Sequence, residues 1–146
     1  MNNPTFSAYF DGACEPINPN GTAAYGVVVF KDNRIVWLSS ETYYPTLNQT
    51  TTNNMAEYAG FLKLLQFFSD QKMRNESIEI LGDSKLVINQ MFNGWSISSG
   101  SYLPLANKSK ELLKIFPHVL GRWIPKEENT IADKLSRQAI KTFYSN

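Results

Sequence analysis

The period of the apolar residues changes near residue 50, and that change constrains the fold more than any other feature. Before it lie three strand-like runs. Thr5 to Cys14 alternates loosely and is rich in aromatics, Ala23 to Lys31 reads AAYGVVVFK, and Arg34 to Thr42 follows. Glu15-Pro-Ile-Asn-Pro-Asn-Gly separates the first two, and Asp32-Asn33 is a tight hairpin turn between the second and third. An antiparallel meander is expected. From Asn53 to Gln71 the period becomes helical, with Ala56, Ala59, Leu62 or Lys63, Leu65 or Gln66 and Phe67 on one apolar face.

Strands and helices then alternate. Ser77 to Leu81 is a short strand ending at Gly82-Asp83, and Ser84 is positioned to cap a helix running to Phe92. Asn93 to Ser101 is a Gly/Ser-rich loop. Leu103 to Phe116 is a third helix, entered near Pro104. His118 to Ile124 is a last strand, and Glu128 or Asn129 opens a final helix running towards Phe143. The order β-β-β-α-β-α-α-β-α specifies an α/β domain with a mixed sheet and helices against it. A length of 146 residues with 42% hydrophobic content suits one packed domain over residues 1–146.

Several function classes drop out. No stretch approaches the roughly 18 apolar residues of a membrane span. The start, MNNPTFSAYFDG, has no basic segment followed by an apolar one, so no secretory signal is expected. One cysteine and one histidine make neither an internal disulfide nor a Cys/His zinc site. A reducing, cytoplasmic setting is expected. The net charge is only +1 but unevenly spread. Residues 1–83 carry five basic and nine acidic side chains, and residues 84–126 carry six basic and one acidic. Such a split places a cation site beside a polyanion site.

Four acidic residues stand at element ends or inside an apolar strand. Asp83 precedes a helix, and Glu57 and Asp133 lie in first turns, where a carboxylate suits the helix dipole in any protein. Asp11 differs. Inside the run AYFDGAC it must be paired, neutralised or bound to a cation. If the four converge, their mutual repulsion raises their pKa values, and a divalent cation relieves it. Oxygen ligands without Cys or His favour Mg²⁺ or Mn²⁺. Two such ions about 4 Å apart support phosphodiester hydrolysis. Neither a G-x-S-x-G nor a P-loop pattern is present.

Four stretches in order now carry a resemblance. They are Tyr9-Phe-Asp-Gly-Ala-Cys14, Thr52-Asn-Asn-Met-Ala-Glu-Tyr58, Gly82-Asp-Ser-Lys-Leu-Val87 and Arg122-Trp-Ile-Pro-Lys-Glu-Glu-Asn-Thr-Ile-Ala-Asp-Lys-Leu-Ser136. With them the chain resembles type 1 ribonuclease H, of the ribonuclease H-like superfamily, over roughly residues 5–140. The resemblance implies a five-stranded mixed sheet in the order 3-2-1-4-5, with helices on both faces. It implies hydrolysis of the RNA strand of an RNA–DNA hybrid with two Mg²⁺ ions, Mn²⁺ substituting, to leave 5′-phosphate and 3′-hydroxyl ends. Asp11, Glu57, Asp83 and Asp133 match the catalytic, metal-binding carboxylates. Asn18, Asn53 and Asn54 match polar residues that contact the hybrid, and Cys14 falls where the family meets the minor groove.

The chain departs from many bacterial members in two ways. They carry a histidine in the loop before the last Asp. Here that stretch has none, and the one histidine, His118, reads as structural or surface. Either Lys126, Glu127 or Glu128 takes over its function, or nothing does. A basic handle is also missing, since residues 93–107 contain no Lys or Arg. This matches a compact, handle-less subgroup and implies weaker affinity with a shallower salt dependence.

A hybrid is close to A-form, and its wide minor groove shows RNA 2′-hydroxyls. Backbone groups at Gly12–Cys14 and the amides of Asn18, Asn53 and Asn54 suit that groove, although Asn53-Asn54 also suits helix capping. Trp95 and Tyr102 flank the loop near Lys85, Lys108 and Lys110 and are candidates for the DNA strand. Trp95 equally suits a packing anchor. Trp123 is expected in the core, with Arg122 facing solvent or phosphate. A monomer is expected, and double-stranded RNA is a further candidate substrate. Two other functions fit the same sequence: a catalytically weak hybrid-binding module, and a ribonuclease H domain excised from a reverse transcriptase. The Met1 start and complete last helix favour a stand-alone protein over the latter.

Overall fold

The computed structural model describes residues 3–46 and 49–145. Its elements are β1 (Phe6–Glu15), β2 (Thr22–Lys31), β3 (Arg34–Tyr43), α1 (Asn53–Asp70), β4 (Ile78–Gly82), α2 (Lys85–Phe92), α3 (Leu103–Leu113), β5 (Val119–Trp123), a 3₁₀ turn (Lys126–Glu128) and α4 (Thr130–Ser145). The sheet order is β3-β2-β1-β4-β5. β1–β2 and β2–β3 are antiparallel, while β1–β4 and β4–β5 are parallel. The expected mixed sheet and strand order are present.

Local chemistry explains most element boundaries. Asp32 and Asn33 take φ of 53° and 63°, the left-handed pair that a two-residue hairpin turn demands. Ser84 caps α2 by accepting from the Val87 N–H at 3.1 Å. Strand ends shift by a residue from those the sequence predicts, and three helix ends carry a physical reason. Thr52, rather than an asparagine, caps α1, its hydroxyl accepting from the Met55 N–H at 3.1 Å. Asn53 and Asn54 are therefore the first helical residues. α3 stops at Leu113, because Pro117 disfavours helix in the residue before it and the chain turns ahead of it. α4 starts at Thr130, one or two residues late, because the 3₁₀ turn occupies Lys126–Glu128.

Helices cover both sheet faces. Phe6, Ala8 and Phe10 of β1 share a buried cluster with Tyr58, Phe61, Leu64, Leu65 and Phe68 of α1. Ala139 and Ile140 of α4 pack on Ala24 of β2. Two glycines set the approach distances. A Cβ on Gly12 would lie 2.4 Å from the Glu57 nitrogen, and one on Gly26 would lie 2.3 Å from the Ala132 carbonyl. Gly26 is the ladder partner of Asp11. The tight packing thus brings the starts of α1 and α4 to the same region of β1. Gly12→Ala should push α1 off the sheet and cost about 1–3 kcal/mol in urea denaturation.

Candidate active site

The parallel ladder ends where the carboxylates begin. Phe10 pairs with Gly82, so Asp11 and Asp83 lie one residue beyond the last rung. The carboxyl end of strands in an open α/β sheet is the usual place for a ligand. Glu57, in the second turn of α1, completes a group. Asp11, Glu57 and Asp83 each offer a carboxylate oxygen, and these oxygens lie within 4.8 Å of one another.

The group is largely dry. Asp11 is 3% exposed and Glu57 4%. Burial and the nearby Asp83 charge raise Asp11 to about 7, although the Gly12 N–H donates to its Oδ1 at 2.9 Å. Burial pushes Glu57 well above the ordinary carboxylate range, with further repulsion from Asp11 and Asp83. Burial raises Asp83 as well, while Lys126 pulls it down. Glu57 Oε2 is buried without a hydrogen-bond partner. Three crowded carboxylates with an orphaned oxygen form a donor set that fits a hard divalent cation.

Asp133 stands at the margin. Its carboxylate pairs with Arg137 and lies 4.0 Å from Lys126 Nζ. It is not among the three clustered oxygens, yet its charge raises both Asp11 and Asp83. Asn129 fixes its position. The Asn129 Nδ2 donates to the Phe10 carbonyl at 2.9 Å, and the Asn129 backbone carbonyl accepts the Asp133 N–H at 3.1 Å. Asn129 thereby ties the start of α4 to β1 beside Asp11. Asn129→Ala removes the buried bond to the Phe10 carbonyl. It should cost about 1–3 kcal/mol in thermal denaturation and reduce activity by displacing Asp133.

The carboxylates line an open cleft of about 450 Å³ together with Gly12, Asn53, Asn54, Ser84, Lys85, Leu86, Trp123 and Lys126. Four of the expected contact residues are therefore at the cleft: Gly12, Asn53, Asn54 and Lys85. Asn18 lies outside the lining but accepts from the Asn53 N–H at 3.0 Å, tying the loop after β1 to the start of α1. Cys14 is buried, and its thiol donates to the Ile17 carbonyl at 3.3 Å. Trp95 is 50% exposed, which favours an accessible ring over a core anchor. Tyr102 is turned inward instead. Its ring stacks on Tyr58 at 5.4 Å, and its hydroxyl accepts from Gln90 Nε2 at 3.2 Å. One face of the ring and its hydroxyl are thus engaged within the protein, and the residue is half-buried.

The largest departure is Trp123. It is 41% exposed and lines the cleft rather than the core. β5 is an edge strand, and its register with β4 sets Trp123 opposite Gly82, beside Asp83. The indole N–H donates to the Asp83 carbonyl at 3.1 Å. Neither Trp123 nor Asn129 is marked by local pattern. Only the pairing of β4 with β5 and of α4 with β1 reveals them. Arg122 pairs with Glu79 at 3.1 Å, and His118 is exposed.

With the fold and the carboxylate-lined cleft described, comparison with known proteins defines the family. A family model described as "Reverse transcriptase-like" matches residues 9–139. The bifunctional protein Rv2228c of Mycobacterium tuberculosis is 33% identical over 124 residues, covering 84% of this chain and 32% of that protein. The chain thus spans about a third of that curated relative. The crystal structure of RNase H1 from Halobacterium salinarum is 32% identical with a TM-score of 0.80, over 94% of this chain and 98% of that one. LC11-RNase H1, solved with an RNA/DNA hybrid, is 26% identical with a TM-score of 0.83, over 95% and 99% of the two chains. The chain belongs to the reverse transcriptase-like family and is a ribonuclease HI-like protein.

Proposed function

We propose that this chain hydrolyses the RNA strand of RNA–DNA hybrids, leaving 5′-phosphate and 3′-hydroxyl ends. The observation that carries this reading is the cluster of three carboxylates at the strand ends, inside an open cleft lined by asparagines and lysines. Asp11, Glu57 and Asp83 would hold two divalent ions, Mg²⁺ or alternatively Mn²⁺, with Asp133 contributing from the margin. When bound, such ions lower the pKa of a water and offset charge on the leaving oxygen. Asn129 and Gly12 fix where the carboxylates stand, by the Phe10 bond and by close helix approach. Lys126 faces the cleft beside Asp83 and lies 4.0 Å from the Asp133 carboxylate.

Asn53 and Asn54 line the cleft, and their amides suit 2′-hydroxyls as donors and acceptors. LC11-RNase H1, solved with an RNA/DNA hybrid, shares the fold and supports a hybrid as the ligand. Double-stranded RNA, also A-form with 2′-hydroxyls on both strands, is a second substrate in this reading. The chain would act as a monomeric catalytic domain in the cytoplasm. Among the described residues, no helix is long and apolar enough to cross a membrane.

The test offers end-labelled hybrid, double-stranded RNA, single-stranded RNA and duplex DNA with Mg²⁺, Mn²⁺ or EDTA. Metal-dependent cutting of the hybrid's RNA, with products that religate as 5′-phosphates, is the expected outcome. Cutting of duplex DNA at a similar rate would sink the assignment, because the 2′-hydroxyl would then play no part. Binding of the hybrid without cutting would leave only a binding module.

A further inference from the structure

We propose that Trp123 is a positioning residue that holds Lys85 at the cleft wall, where Lys85 grips a phosphate of the strand being cut, next to the reacting one. The inference rests on the nuclease reading and concerns a residue that lies outside the carboxylate set. Three observations converge. First, the Lys85 ammonium sits 5.0 Å from the centre of the Trp123 ring, and both residues line the carboxylate cleft. Second, the ring is itself pinned. Its N–H donates to the Asp83 carbonyl at 3.1 Å, and the next residue's N–H donates to the Gly82 carbonyl at 2.9 Å. The indole is therefore a fixed platform at the junction of β4 and α2.

Third, Lys85 is poorly explained by the fold. It is the first residue of α2, where the helix dipole disfavours a cation. It makes no salt bridge among the described residues, and the cation that offsets Asp83 is Lys126. A lysine placed against the dipole, held on an aromatic face and left without an acidic partner is suited to an anion arriving from solvent. The α2 N-terminus beside it favours the same charge. A strand lying over the carboxylates brings its neighbouring phosphates along the cleft wall. With residues 93–107 free of Lys and Arg, this pair supplies charge that a basic handle would otherwise supply.

The experiment measures affinity for a fluorescent RNA–DNA hybrid by anisotropy across a salt series in Ca²⁺, and KM and kcat with Mg²⁺, for the full chain. Lys85→Gln should weaken binding about threefold to tenfold and lower the log–log salt slope by about one. Its effect on turnover should fall on KM rather than kcat. Trp123→Leu removes the platform and should show the same loss of slope, and in the Lys85→Gln background it should add little. Trp123→Phe keeps a ring and should retain most of the slope. Lys85→Gln keeps the test open if Trp123→Leu does not fold, because Lys85 is exposed. A Trp123→Leu variant that melts earlier but keeps the wild-type slope would mean a purely structural role and overturn the proposal. So would an unchanged slope in Lys85→Gln. Wild-type protein that binds the hybrid without metal-dependent cutting would sink the nuclease reading alone. Wild-type protein that does not bind the hybrid would sink both.

Discussion

At pH 8 and without divalent ions, Asp11→Asn melts at a higher temperature than the wild-type chain, by about 5–10 °C. The direction follows from the raised pKa. In the unfolded chain Asp11 ionises near its ordinary value of 3.8, whereas in the folded chain it ionises at about 7. Between those values the folded state holds a proton that the unfolded state has lost. The contribution of this group is therefore fully present below pH 4 and is lost as pH rises through about 7. Every tenfold change in proton affinity between the two states is worth about 1.4 kcal/mol, so the loss is on the order of 2–4 kcal/mol once repulsion is shared with Glu57 and Asp83.

The amide cannot ionise and avoids that cost. Saturating Mg²⁺ or Mn²⁺ should raise the wild-type melting temperature at pH 8, where the carboxylates are ionised. It should do far less at pH 5, and less again in Asp11→Asn. Scanning calorimetry across pH 4–9 with and without metal checks all four conditions. Parallel pH profiles for the two proteins would show that Asp11 is not held in a dry, crowded site.

The second large effect is on turnover. Asp83→Asn and Glu57→Gln should each lower kcat on the hybrid by about 10³-fold or more, equivalent to about 4 kcal/mol of barrier. Hybrid affinity should change little, because the contacts proposed for the nucleic acid lie on Asn53, Asn54 and Lys85. Asp133→Asn should be milder, about 10-fold to 100-fold, since Asp133 is paired with Arg137 and stands outside the three clustered oxygens. Equal losses for all four carboxylates would place Asp133 inside the cluster. Single-turnover kinetics with enzyme in excess separates these losses from product release.

Much of this arrangement is written in local sequence. Apolar and loosely alternating runs place β1 to β3, left-handed Asp32-Asn33 closes the hairpin, and Ser84 starts α2 because a hydroxyl there satisfies a free N–H. Asp11 stands out because a carboxylate in an apolar strand demands a partner. The features that escape are set by contacts between distant segments. Tyr102 looks free beside a Gly/Ser-rich loop, yet α3 carries it onto Tyr58 and Gln90. Trp123 looks like a core aromatic, yet β5 is an edge strand and its register sets the indole at the cleft. Asn129 reads as an ordinary helix-start residue, although its amide bridges to a carbonyl 119 positions away. Asn53 and Asn54 look like caps, yet Thr52 takes that role, with an extended φ of −141° and a hydroxyl that accepts the Met55 N–H.

The most direct measurement is cleavage of an end-labelled RNA–DNA hybrid by the wild-type chain and by Asp83→Asn, in Mg²⁺ and in EDTA. Cutting confined to the RNA strand, dependent on the metal and lost in the variant, is predicted. Cutting that persists in EDTA or in Asp83→Asn would contradict a carboxylate-held metal centre at the ends of β1 and β4.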